Sequence, residues 1–175
     1  NHDLGDVHDG SVFAFSLLGG FASCLWFLVP VTYYASAPFY QKDFWHTILA
    51  VSIAASYPLS WPLSFVAIPS SAAPFLAPLL GLTTATLKAC HVRAAWATLA
   101  WGSLHAAGEL TYLASQGMFD LFWFDPSSDN DNLTFIFGLA LFLILLTHSA
   151  HARSRRYASV APTFRRIHRT LAAIL

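Results

Sequence analysis

A soluble domain carries about a quarter of its residues as charges, whereas only 10% of these 175 residues are charged, 56% are hydrophobic and 15% aromatic, with a mean hydropathy of +0.54. That balance excludes a water-soluble globular domain, and the formal net charge of zero gives no basic excess of the kind nucleic-acid binding needs. The expected fold class is an all-α membrane protein, a multi-pass helical bundle with the lipid bilayer as its solvent and no nucleic-acid partner.

A bilayer-spanning helix needs about 20 largely apolar residues, and five stretches qualify or begin to. The first runs from about Ser11 to Ser36 and the second from about Phe44 to Pro69. Pro30, Pro58 and Pro62 fall inside them and predict kinks, because neighbouring helices re-satisfy the carbonyls that proline frees. Ser70 to Leu87, with Pro74, Pro78, Gly81 and a threonine cluster, reads as a connector at one interface. The third stretch runs from about Lys88 to Leu113 and the fourth, almost wholly aliphatic and aromatic, from about Leu133 to His151. A fifth begins near Pro162, suited to a first helical position, and is cut at Leu175. With Asn1 at one end and an apolar run at the other, residues 1–175 are expected to be a fragment of a longer protein. Cys24 and Cys90 show no CxxC spacing and read as packing residues.

Five alternating crossings sort the charges. Lys88, Arg93, Arg153, Arg155, Arg156, Arg165, Arg166 and Arg169 fall at or near the side of the chain start, and only Lys42 lies opposite. Eight of the nine basic residues on one side is the pattern expected when that side is cytoplasmic. Asp43, Asp120, Asp125, Asp129 and Asp131 fall on the outer side, while Asp3, Asp6 and Asp9 do not.

The third stretch carries ionisable residues that an anchoring helix does not need. His91 and His105 are fourteen residues apart, which in an α-helix is about 21 Å of axial travel and within about 40° of one face. One face thus presents two imidazoles near opposite sides of the hydrocarbon. His168 lies six residues past Pro162, about 9 Å into the fifth helix, at a depth matching that of His91. Neutral imidazole ligates iron, and a haem set edge-on between two helices takes one histidine from each. Filling both axial positions disfavours O₂ binding at iron and suits electron transfer. A partner for His105 is expected about fourteen residues beyond His168. Taken singly, either histidine is better read as a packing residue bonded to a neighbouring helix; the matched spacing and depth are what favour ligation. His2 and His8 belong to a polar tail, His46 to the outer start of the second helix, and His148 and His151 to the cytoplasmic end of the fourth, all read as interface residues.

These residues carry a resemblance. HVRAAWATLAWGSLH, followed by FGLALFLILLTHSAHARSRRYASVAPTFRRIH, resembles the transmembrane haem domain of the ferric reductase and NADPH oxidase superfamily. That family places two histidines about fourteen residues apart on one helix, facing a similar pair on another that is reached through a basic loop and an F-x-x-x-H stretch, here Phe164 to His168. The similarity covers Ile68 to Leu175. It implies a bundle of about six helices and two b-type haems, held by His91 with His168 on the cytoplasmic side and by His105 on the outer side, the second site being incomplete in this chain. It further implies a cytoplasmic flavin domain carrying FAD and NAD(P)H as electron donor, absent from residues 1–175, with a ferric chelate or O₂ as outer acceptor and the plasma membrane as location. Lys88, Arg93 and Arg169 are the nearest cations for haem propionates.

Two departures bear on function. Ferric reductases commonly carry a basic residue straight after the first histidine and a glycine four on, where this chain has Val92 and Ala95, with Arg93 one step late. NADPH oxidases commonly have a further histidine four after the outer-haem histidine, where this chain has Glu109. Glu109 reads either as an acid that draws an iron chelate or relays a proton, or as an interfacial residue reaching water. The expected function is transmembrane electron transfer, as the membrane core of an NAD(P)H-dependent ferric-chelate reductase. The alternatives are an oxidase producing superoxide or H₂O₂, a shorter relative fed by a separate flavin protein or quinol, and a haem-free transport or structural membrane protein.

Overall fold

The computed structural model describes residues 9–67, 73–118 and 131–154, together with Arg166 and Thr170, and every regular element among them is helical. The order is α1 (Asp9–Ser36), α2 (Phe44–Ser56), a 3₁₀ turn (Tyr57–Leu59), α3 (Ser60–Ala67), α4 (Ala73–Leu79), α5 (Thr84–Gln116) and α6 (Asp131–Ser154). By length and composition, two helical runs of the described residues can cross a membrane, Gly10–Ser36 and Phe44–Val66, and a third if α4 and α5 count as one bent span. With α6 contributing the apolar stretch Ile136–Thr147, the molecule is a multi-pass helical membrane protein. The expected fifth span lies outside the described residues, apart from Arg166 and Thr170, which are both helical and exposed.

The second expected span is one crossing in three pieces. Pro58 and Pro62 each lack the amide hydrogen an α-helix needs, and the chain tightens into the 3₁₀ turn Tyr57–Leu59 before resuming as α3. Asp43 starts this crossing as an N-cap, its side chain accepting from the His46 backbone N–H at 2.9 Å. At the other end of the molecule the expected connector contains α4, which meets α5 at 104°. Gly81, at φ +64°, supplies the left-handed residue just past α4. Thr83 then caps α5 by accepting from the Thr86 N–H, so α5 begins one turn before the Lys88 read from sequence. Gly117 closes it at φ +68°, with the Met118 N–H reaching Leu113 O at 3.0 Å. The 33 residues of α5 extend about 50 Å, well beyond the about 30 Å of a hydrocarbon core.

The interior is built of small residues. Ala50, Ala54, Ala55, Ser52, Ala94, Thr86 and Thr98 are buried, whereas Phe13, Leu17, Phe21, Leu28 and Val29 of α1 point outward. In lipid the apolar effect gives no reason to bury large side chains, and close backbone approach through Ala, Ser, Thr and Gly takes its place. Gly19 shows the fit: a Cβ there would stand 2.5 Å from the Trp61 ring, whose Nε1–H donates to Ser23 Oγ at 2.8 Å. Phe15 packs edge-on against Trp61 and Phe65. Cys90 packs in the interior as expected, while Cys24 lies on the exposed side of α1.

Candidate functional site

Around α5, His91, Thr98, His105 and Glu109 fall within about 40° of one another, and this face turns towards the α2–α3 crossing. The two crossings run antiparallel, so a contact lower on one is matched higher on the other. His91 Nδ1 lies 3.1 Å from the backbone oxygen of Phe65 in α3, and His105 Nδ1 lies 2.9 Å from the backbone oxygen of Ser52 in α2. A carbonyl can only accept, so in each contact the ring nitrogen is the donor. With Nδ1 donating, each ring matches the arrangement in which histidine commonly binds a metal through its other nitrogen.

The two carbonyls become acceptors for different reasons. Phe65 is in the last turn of α3, where carbonyls lack intrahelical donors, and the residue four further on in sequence is Pro69, which has no amide hydrogen to offer. Ser52 is in the middle of α2 and wholly buried, at 1% exposure. Its hydroxyl donates to His105 O at 2.7 Å and lies 3.2 Å from Glu109 Oε1 and 3.4 Å from His105 Nδ1. Glu109 Oε1 is 4.0 Å from His105 Nδ1. Glu109 is thus half-buried against Ser52.

Gly108 makes this contact sterically possible. A Cβ at Gly108 would lie 2.6 Å from Ser52 Cβ and 3.1 Å from Ser52 Oγ, whereas one at Gly102 meets nothing nearer than a Leu59 methyl at 3.9 Å. Beside the contact, Thr47, Val51, Leu104 and Thr111 wall an apolar groove of about 400 Å³.

Past Glu109 this end of the helix pair is aromatic. His46, in the first turn of α2, is buried at 9% exposure: its Nδ1 reaches Asp43 Oδ1 at 2.9 Å and its ring packs edge-on against Phe39 and Tyr112. The backbone N–H and then the ring of His46 hold the Asp43 carboxyl below its usual range. Burial, reinforced by the Glu109 carboxylate, raises the Tyr40 phenol above its own. Lys42 Nζ sits 4.7 Å over the Phe39 ring.

Of the expected propionate contacts, Lys88 and Arg93 are both exposed. Lys88 stands on the His91 side of α5, one turn earlier; Arg93, two residues on, lies about 160° around the helix. His168 and Arg169 lie outside the described residues. Trp96 is exposed and Trp101 packs on Phe27 at 5.3 Å between ring centroids. Sequence reasoning missed Ser52, Gly108 and the Phe65 carbonyl. The available signal was weak: a glycine beside the acid of a helix with two histidines, and a serine in the alanine-rich α2.

The donor chemistry fits haem. Two imidazoles that meet backbone carbonyls through Nδ1 are suited to bind iron through Nε2, and they share one face of α5. No curated protein and no solved structure matches the chain. Residues 51–175, which take in Ser52 and both α5 histidines and begin seventeen residues before the similarity read from sequence, match the family model described as ferric reductase like transmembrane component. The chain belongs to the ferric reductase-like transmembrane family, membrane components of oxidoreductases.

Proposed function

We propose that residues 1–175 are the membrane haem domain of an NAD(P)H-dependent ferric-chelate reductase, passing electrons from a cytoplasmic flavin domain to an outer ferric chelate. The carrying observation is the pair of α5 histidines, each with its Nδ1 proton given to a backbone carbonyl of the α2–α3 crossing. In this reading His91 with His168 holds the cytoplasmic-side haem. His105 holds the outer one with a ligand about fourteen residues beyond His168, and Lys88, Arg93 and Arg169 are the cations available to propionates. When bound, haem iron cycles between ferric and ferrous states and so carries one electron at a time. The chain's own residues hold each imidazole by Nδ1 in one orientation and leave an acid, Glu109, one turn beyond the outer histidine.

Glu109, in place of the further histidine common in NADPH oxidases, supports a ferric chelate over O₂ as acceptor. The test is the absorption spectrum of the purified full-length protein with and without reductant, followed by paired assays of ferric-chelate reduction and superoxide release. A reducible b-type Soret band with ferric reduction is expected. Superoxide release without ferric reduction would favour the oxidase, and no Soret band at all would leave a haem-free membrane protein.

A further inference from the structure

The structure points to Ser52 and Gly108 as a matched pair that positions the outer histidine. This rests on the haem reading of His105 and goes beyond it, since neither residue can ligate iron in that reading. Ser52 meets His105 twice: its carbonyl accepts the Nδ1 proton at 2.9 Å and its hydroxyl donates to the His105 carbonyl at 2.7 Å. One residue of α2 therefore grips both the ring and the backbone of one residue of α5. The hydroxyl also stands 3.2 Å from Glu109 Oε1, which ties down the acid on the following turn. These contacts need the helices close together, and Gly108 supplies the space, because any Cβ there would overlap Ser52 Cβ at 2.6 Å.

A carbonyl that accepts from Nδ1–H increases the electron density of the imidazole and, through it, stabilises ferric over ferrous iron. A firm grip by Ser52 thus lowers the potential of the outer haem, and a loosened one raises it. His91 has no share in this, since its carbonyl partner is Phe65. The pair makes the potential of one haem adjustable without touching the other.

The test is a redox titration of the haem absorbance, with low-temperature electron paramagnetic resonance of the ferric state, on the full-length protein and four variants. Ser52→Ala should keep both haems and move the midpoint of one to a more positive value, with a changed low-spin signal for the same component. Gly108→Ala should disturb or lose that component alone, and Gly102→Ala should change neither. The double variant Ser52→Gly with Gly108→Ala removes the overlapping atoms, so it should recover the haem lost in Gly108→Ala while keeping the displaced potential, because the hydroxyl is still missing. That recovery separates a positioning role from simple misfolding. Ser52→Ala with both midpoints and both signals unchanged, or with both moved equally, overturns the proposal while leaving the haem reading intact. Absence of haem from the unaltered protein overturns both.

Discussion

The N-terminal and C-terminal halves of α5 each bring a histidine Nδ1 to a backbone carbonyl, by different means. At His91 the acceptor is a carbonyl in the last turn of α3, released by the end of a helix and by the lack of an amide hydrogen at Pro69. At His105 the acceptor is in an unbroken helix, and a hydroxyl, a carboxylate and a glycine fix its geometry. A helix end can serve as an acceptor with no residue dedicated to it, whereas a mid-helix acceptor must be brought close. The His91 contact therefore depends on where α3 stops, and the His105 contact on how tightly α2 and α5 pack.

The comparison breaks most visibly with the histidines themselves. His91→Ala and His105→Ala are each expected to lose about half the haem absorbance of the full-length protein, and the residual spectra should differ. Identical residual spectra would mean that the two halves do not hold separate haems. Next comes packing. Gly108→Ala should lower stability by about 1–3 kcal/mol through overpacking, while Gly102→Ala should be neutral or gain up to about 1 kcal/mol from helix propensity; thermal unfolding in detergent reads both. Equal effects would show that the His105 contact is no tighter than the rest of the helix pair.

Smaller effects sharpen the contrast between the ends. Thr83→Ala removes the cap of α5 and should cost about 1 kcal/mol, seen as faster amide exchange over Thr84–Leu87 with protection unchanged around His105. The smallest concerns Asp43, whose folded pKa is depressed. Its cap is fully effective above the unfolded value, about 3.9, and is lost as pH falls through the lower folded value. Protection of the His46 amide, taken relative to its intrinsic exchange rate at each pH, should fall in acid and stay flat in Asp43→Asn, with nothing changing at the Thr83 cap.

The apolar helices and the shared face of His91 and His105 were legible because each rests on one-dimensional information: the length of an apolar run, or the angular period of one helix. Pro58 and Pro62 announced the kink that became the 3₁₀ turn. What could not be read was register between helices. Ser52 and His105 are 53 residues apart, and nothing local to either says which turn of α2 faces which turn of α5. The burial of His46 was not legible for a related reason: its neighbour Tyr112 comes from the far end of α5. The short α4 was hidden because seven residues containing Pro78 give too little periodicity to distinguish from a turn.

The 104° bend between α4 and α5 also sets a spacing. α4 turns Phe75 and Leu79 outward and tucks Ala73 and Ala77 in beside Leu87. Sliding α5 by one turn would pull Leu87 away from those alanines. Like the flange on a post, α4 fixes where α5 begins, so His91, seven residues into α5, stays about 10 Å along the helix from that corner.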